Sequence, residues 1–246
     1  MKNIYVVVFE ICVVVLAALS TTFLASAQEP TAKIQLAHNV ADPLGNTLDI
    51  YINDELYLDN FEFRTATEFR DFVAGTELRI GIALASSQSP SDVIVNFAYT
   101  FVADSRNVLM ISGVLSPTSF AANPDPNARP INISAHRIGD IRASGINSSL
   151  VDILMWHGST DVGALDLYAG SAAELVSELR YGYASSYFNV IVGSVPLSVR
   201  RANGELIESY RGDFGSRSGQ AIILTTSGFL NPAANENGPH FGLYVI

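Results

Sequence analysis

The histidines could in principle hold a metal ion, but their spacing argues against a metal centre. His38, His136, His157 and His240 are spread along the chain. No two of them are two or four residues apart, the spacings that place two imidazoles on one ion. His38 and His157 stand at corresponding places in two similar stretches, each followed four residues later by an aspartate. We expect each to end a first strand and to hydrogen-bond into the following loop, far from the other.

The motifs of known catalytic sites do not occur in this sequence. Serine hydrolysis needs an activated serine beside an oxyanion hole, and no Gly-x-Ser-x-Gly elbow is present. The nearest string, residues 215–219, is interpreted as a glycine-serine loop before a strand. Phosphate-binding glycine loops and zinc-protease motifs are missing too. The sequence therefore predicts a protein that is not an enzyme and has no cofactor, although spacing leaves open a glycosidase with two carboxylates across a cleft.

Two groups of side chains could bind a ligand. Asn123, Asp125 and Asn127 alternate with prolines, and such oxygens are the ligands that calcium prefers, so a calcium site is one hypothesis and a proline-stiffened turn is the other. The tyrosines Tyr181, Tyr183 and Tyr187 could form a row on one face of a strand. Exposed tyrosines bind glycans or proteins well, while core packing is the alternative for at least some of them.

Composition and the N-terminal segment restrict the setting of the protein. The formal net charge of the 246 residues is −10, which excludes a surface that tracks nucleic-acid phosphates. Residues 1–27 have the pattern of a signal peptide, with Lys2, an apolar run and a small-x-small end at Ala25–Ala27. The apolar run is shorter than the ~20 residues that span a bilayer. We therefore expect export to the cell surface or medium, or to the periplasm, with no membrane span in the mature chain.

Cysteine usage sets the source of stability. The single cysteine, Cys12, lies inside the predicted leader. The mature chain can therefore form no disulfide, and its stability must come from its hydrophobic core.

The mature chain contains two similar halves. Three blocks recur in the same order about 118 positions later: His38–Asp42 as His157–Asp161, Leu48–Tyr51 as Leu165–Tyr168, and Phe63–Phe69 as Tyr181–Tyr187. A period of this length indicates a duplicated domain rather than a solenoid. We predict a first domain at residues 31–117, a stiff proline-rich linker at 118–130 and a second domain at 131–246.

Apolar residues alternate with polar ones throughout both halves. Leu48, Ile50 and Ile52 point to one side of a predicted strand, and short runs of this kind are separated by Gly, Asn, Asp and Pro. Asp49 and Asp166 are predicted on outward faces, solvated or paired with Arg79 or Arg200. Only residues 172–179 have a helical pattern. The predicted fold is all-β, with two tandem immunoglobulin-like antiparallel β-sandwich domains.

The ordered blocks resemble the DUF4397 domain, a β-rich module of exported bacterial proteins, over residues 31–246. Its opening is a strand, His-x-x-x-Asp/Pro, a Val/Leu-Asp-Val/Ile-Tyr strand and a later Ala-Gly turn. The first half matches at His38–Tyr51 and Ala74-Gly75, and the second departs at Val192, where alanine is usual. The resemblance implies an exported protein of Bacteroidota-like bacteria. The family has no assigned activity, so no catalytic residue is transferred.

These observations favour a non-catalytic exported protein for adhesion, binding or structure, with an extracellular protein or glycan as its partner. The alternatives are a carbohydrate-binding accessory or surface hydrolase with a site at the domain junction, and a scaffold that only spaces other modules.

Overall fold

The computed structural model describes residues 29–246, and the predicted leader at 1–27 lies outside the described residues. Within this range the chain forms strands joined by turns and by four three-residue 3₁₀ helices. The strands of the first sandwich are β1 (Thr31–Val40), β2 (Thr47–Ile52), β3 (Glu55–Glu62), β4 (Arg70–Val73), β5 (Glu77–Leu84), β6 (Val95–Thr100), β7 (Arg106–Gly113) and β8 (Ser134–Ile138). Those of the second are β9 (Leu150–His157), β10 (Leu165–Ala169), β11 (Ala173–Leu179), β12 (Phe188–Ile191), β13 (Ser194–Arg201), β14 (Leu206–Asp213), β15 (Ala221–Ser227) and β16 (Gly242–Val245).

Each sandwich has two four-stranded sheets with the same strand order in both halves. We call β4-β1-β7-β8 and β12-β9-β15-β16 the inner sheets, and β3-β2-β5-β6 and β11-β10-β13-β14 the outer sheets. The prediction of an all-β chain with two sandwiches is confirmed. Most strand pairs are antiparallel, as predicted, and two are parallel: β1 with β7 and β9 with β15.

The two inner sheets pack against each other, and this burial explains the parallel pairs. Strands buried on both faces are typical of parallel pairing, since both faces need covering. In β9, Ile153 and Met155 point into the second sandwich, whereas Leu154 and Trp156 belong to the junction with the first. The buried residues of this junction core are Ala37, Val108, Met110, Ile138, Leu154, Trp156 and Ile223. Successive residues of an inner strand therefore serve two different cores.

The structure places the domain boundary differently from the predicted one. Strand β8 pairs antiparallel with β7 from Val108–Ile138 to Ser112–Ser134. Residues 134–138 therefore complete the first sandwich. The predicted boundary at 131 had assigned them to the second. Register explains the placement, because Ile133 and Ala135 point into the first core while His136 lies against Trp156.

Residues 118–130, predicted as a linker, form a strap across the second sandwich. Phe120 stacks on Phe229 with ring centroids 5.6 Å apart, and the Ala121 N–H donates to Asn235 Oδ1. The Asn123 amide donates to the carbonyls of Thr160 and Val162. The chain thus crosses to the second sandwich before returning to the first as β8. The contacts of the strap therefore connect the two sandwiches.

Buried aspartates shape both outer sheets at corresponding places. Asp49 accepts the Asn60 N–H at 2.9 Å, and Asp166 accepts the Glu178 N–H at 2.8 Å. Asn60 and Glu178 have positive φ, which marks the irregular register where β3 and β11 pair with their neighbours. The predicted solvation of Asp49 and Asp166 is therefore wrong: both residues are buried, and their carboxylates stabilise a bulge. Residues 173–179 are a strand, not the helix that their pattern suggested.

Candidate functional site

The candidate site is a groove on the flank of the second sandwich, between β11 and the segment that leads into β12. Its volume is about 470 Å³. Leu175 and Phe188 contribute apolar surface, Glu178 and Arg180 contribute charge, and Tyr183 and Tyr187 lie along one side. A concave surface with aromatic rings and a few polar groups is the usual form of a small-ligand site.

The tyrosine side of the groove is held by backbone hydrogen bonds to β9. The Ser185 N–H donates to the Met155 carbonyl at 2.8 Å, and the Met155 N–H donates to Ser185 Oγ at 2.9 Å. The His157 N–H donates to the Tyr183 carbonyl at 3.1 Å. The tyrosines therefore stand on backbone that is fixed against an inner sheet before any ligand arrives, which reduces the entropy lost on binding.

Tyr183 and Tyr187 differ in how freely their rings can meet a ligand. Tyr183 is 43% exposed, and the Arg129 guanidinium lies 4.6 Å from its ring centroid. Tyr187 is half-buried, its hydroxyl accepts the Arg142 N–H at 3.1 Å, and the Arg142 guanidinium lies 4.2 Å from its ring. Arg142 also pairs with the buried carboxylate of Asp152. Tyr183 is therefore the accessible ring, and Tyr187 is a fixed wall beside it.

The third predicted ligand residue, Tyr181, is not available to a ligand. Its ring is fully buried at the junction, at right angles to the His157 ring. Burial raises the pKa of the Tyr181 hydroxyl to about 12. The prediction of a three-tyrosine row is thus wrong at this position, because the chain turns at Gly182, which has a positive φ, and Tyr183 emerges on another side.

The first sandwich has a corresponding groove with different chemistry. It has a volume of about 480 Å³ and lies between β3 and β4. Tyr57 packs its ring against Phe72 at 5.9 Å, and Glu68, Arg70 and Asp71 supply charge. Thr65 stands where Tyr183 stands in the second half. An accessible aromatic ring therefore distinguishes the second groove from the first.

The proposed calcium ligands are engaged in the turns of the strap. Asn123 Oδ1 accepts the Asp125 N–H and Asp125 Oδ1 accepts the Asn127 N–H, each at 2.8 Å. The other Asp125 oxygen accepts from Arg180 Nε at 3.1 Å. These are the contacts of the alternative hypothesis, a proline-rich turn. Calcium binding by Asn123, Asp125 and Asn127 stays a prediction.

His38 and His157, which the sequence placed at the ends of strands, form hydrogen bonds within the protein. His38 Nδ1 accepts the Val40 N–H, and His157 contacts Thr226 Oγ1 and the Gly163 carbonyl. Burial lowers the pKa of His38 and of His157 to about 4. The expectation that these two positions lie far apart is wrong, because Asn39 Nδ2 donates to the Gly158 carbonyl at 3.2 Å across the junction. In residues 29–246, no cluster of three His, Cys, Asp or Glu side chains suits a metal ion.

Asp42 tightens the turn that follows β1, as expected, whereas Asp161 stabilises the turn that follows β15. Asp42 accepts the N–H groups of Leu44 and Leu115, each at 2.9 Å. Asp161 accepts those of Leu230 and Asn231 at 3.0 and 2.9 Å.

Comparisons with known proteins give little further information about the groove. No protein-family model and no curated protein matches the chain, so the resemblance to DUF4397 stays a prediction. Among solved structures the chain is similar to one described as a putative adhesin from Bacteroides ovatus, at 9% identity, covering 88% of this chain and 93% of that one. The TM-score of 0.22 is too low to support an argument about fold or function. Within the described part of the chain, no helix is both long and apolar enough to span a membrane.

Proposed function

We propose that this chain is an exported, non-catalytic binding protein that holds an extracellular glycan in the groove of its second sandwich. The supporting observation is the exposed ring of Tyr183, carried on backbone that is pinned to β9. A tyrosine ring covers the apolar face of a sugar while its hydroxyl remains hydrated, at a low cost in conformational entropy. An adhesive or scavenging role at the cell surface agrees with the leader predicted at residues 1–27.

The polar groups of the groove support binding rather than turnover. Arg180 forms an ion pair with Asp125 of the strap, and Ser185 is engaged with the backbone of β9 and with the Ser186 carbonyl. The partners of Ser185 are backbone groups, so among the described residues no side-chain base contacts its hydroxyl, as nucleophilic catalysis would need.

The test is glycan-array binding followed by calorimetry on any hit. We expect Tyr183→Ala to weaken binding roughly tenfold, the usual cost of removing a central aromatic contact. The matched control is Tyr57→Ala, which removes the tyrosine of the first groove and should leave affinity unchanged. Both variants are checked for folding by thermal melting. Equal affinity of Tyr183→Ala and the parent chain would refute the proposal.

A surface hydrolase is the second candidate, because one open pocket beside the strap is lined by two carboxylates. Asp125 and Glu178 both border this pocket, together with Arg180 and Arg201. Glycoside hydrolysis needs such a pair on opposite sides of the scissile bond. Release of reducing ends from a bound polysaccharide, abolished in Glu178→Gln, would favour the hydrolase. Binding without release favours the non-catalytic proposal.

A further inference from the structure

Two arginines occupy corresponding ends of the junction between the sandwiches, and the first, Arg64, makes three hydrogen bonds there. Arg64 reaches from the first sandwich to the end of β15 in the second. Its Nε donates to Ser227 Oγ at 3.0 Å, and its Nη2 donates to the carbonyls of Ser227 and His240 at 3.2 and 2.7 Å. Its guanidinium stacks 3.9 Å from the ring centroid of Tyr244. Arg64 therefore acts as a clamp within the protein.

At the other end of the junction, Arg129 of the strap occupies the position that corresponds to Arg64. The residue that corresponds to Arg64 in the second half is Gly182. The side chain of Arg129 lies directly over it, so that a Cβ added to Gly182 would be 2.7 Å from Arg129 Cδ. Arg129 Nη1 lies 3.1 Å from His136 Nδ1. Tyr244 of β16 corresponds to His136 of β8, and Arg64 contacts Tyr244 as Arg129 contacts His136.

Arg129 makes fewer side-chain hydrogen bonds than Arg64 and therefore has more N–H donors left for a ligand. Its guanidinium makes one hydrogen bond, to His136, and lies over the Tyr183 ring, and the residue is exposed. Among residues 29–246 no carboxylate lies within ion-pair distance of it. A guanidinium carries five N–H donors in a planar fork that fits a carboxylate.

Arg129 borders a pocket of about 480 Å³ to which both sandwiches contribute. The first sandwich provides Phe97, Asn132, Ser134 and His136, and the second provides Tyr183. His136 is more than nine-tenths buried, and its Nε2 has no hydrogen-bond partner. Because Nδ1 accepts from the Arg129 guanidinium, Nε2 carries the proton. The Arg129 guanidinium is therefore the donor in this hydrogen bond and keeps its other N–H groups for a ligand.

We propose that this junction pocket binds a carboxylate-bearing sugar of an acidic polysaccharide, with the carboxylate on the Arg129 guanidinium. The inference rests on the proposed glycan-binding function and deepens it, because Tyr183 borders both the pocket and the flank groove. A polymer lying along the groove therefore reaches Arg129. Asn132 and Ser134 supply the amide and hydroxyl that pair with sugar hydroxyls, and Phe97 supplies a second ring.

The pocket favours a sugar over an extended peptide. A peptide added to the edge of the first inner sheet would need free backbone groups on β8. The Ala135 carbonyl of that strand already accepts the Tyr99 hydroxyl. The positive charge of the pocket comes from Arg129, since burial and the nearby Arg129 guanidinium lower the pKa of His136 to about 4 and leave the imidazole neutral.

The experiment compares acidic and matched neutral glycans on one array, with an acidic peptide as a third probe. We expect the parent chain to prefer uronate- or sialate-bearing members over their neutral counterparts. We expect Arg129→Gln to lose about tenfold or more in affinity for acidic members only, with Arg129→Lys intermediate, since a charge-assisted pair contributes this much. The control Arg211→Gln removes an exposed arginine of β14 and should change nothing.

The possible failures separate this inference from the proposed function. If glycans bind and Tyr183→Ala weakens them, but Arg129→Gln retains the full affinity for acidic members, only the acidic-sugar inference is refuted. If no glycan binds, or Tyr183→Ala has no effect, the proposed function fails as well. Preference for the acidic peptide over the acidic glycans refutes the choice of a sugar.

Discussion

Acidification from pH 7 to pH 5 should destabilise this protein strongly, because three of its histidines are buried in the neutral form. His38, His136 and His157 are at most 7% exposed. Burial lowers the pKa of each from 6.5 to about 4, with a further lowering of the His136 pKa by Arg129. Between these two values the unfolded chain binds more protons than the folded one, so the free energy of unfolding falls as pH falls.

The size of the effect follows from the two pKa values. The stability is fully present above about pH 6.5 and declines until about pH 4. At pH 5 each histidine accounts for a loss of about 2 kcal/mol, and the three together for about 6 kcal/mol. This is a large part of the 5–15 kcal/mol that typically stabilises a folded protein, on the order of half.

Urea unfolding at several pH values, followed by circular dichroism and by the fluorescence of the single tryptophan, measures this loss. His157→Gln lowers stability at all pH values, and it should also reduce the pH-dependent loss between 7 and 5 by about 2 kcal/mol. His240→Gln is the control, because His240 is exposed, and its pH dependence should match the parent chain. A free energy of unfolding that is flat from pH 7 to pH 5 would refute the assignment of these histidines as buried and neutral.

Three substitutions test the junction and the turns beside it. Trp156→Ala should cost about 3–5 kcal/mol in thermal melts, because the ring is buried between the inner sheets, and an unchanged melting temperature would contradict this packing. Gly158→Ala should cost about 1–3 kcal/mol, since its Cβ would lie 1.9 Å from Asn39 Nδ2; Gly139→Ala is the control for added volume, because its Cβ would meet only Asn107 Oδ1, at 3.6 Å. Asp161→Asn should cost about 1–3 kcal/mol in urea unfolding, because its carboxylate accepts two backbone N–H groups of the turn after β15; no loss would show that this turn needs no such acceptor.

The sandwich fold could be predicted because alternation is a local signal. Leu48 and Ile50 report one buried face directly, and the recurrence of the same blocks located both halves. The packing of the two inner sheets against each other is harder to predict from the local pattern than the sandwiches themselves. Residues 150–157 form an almost unbroken apolar run, which indicates burial on both faces but does not identify what covers the second face.

The domain boundary and the burial of the aspartates were predicted wrongly for the same physical reason: both depend on contacts that only the folded chain brings together. Proline-rich sequence is typical of linkers, but its contacts depend on partners far along the chain, such as Phe229 for Phe120. Asp166 is stabilised by a backbone N–H that becomes available only where the neighbouring strand bulges.

Of the candidate site, the sequence identified Tyr183 and Tyr187. It gave no sign of Arg129, whose role depends on a glycine 53 positions later in the chain.

The parallel ladder of the first inner sheet also governs how the molecule resists tension. Eight residue pairs join β1 to β7, from Lys33–Arg106 to Val40–Gly113. A pull applied at Thr31 along the strand loads these backbone hydrogen bonds together in shear, whereas peeling a hairpin would break them one at a time. A protein tethered through this end and holding a polymer in flowing liquid would therefore place the force on this ladder in shear.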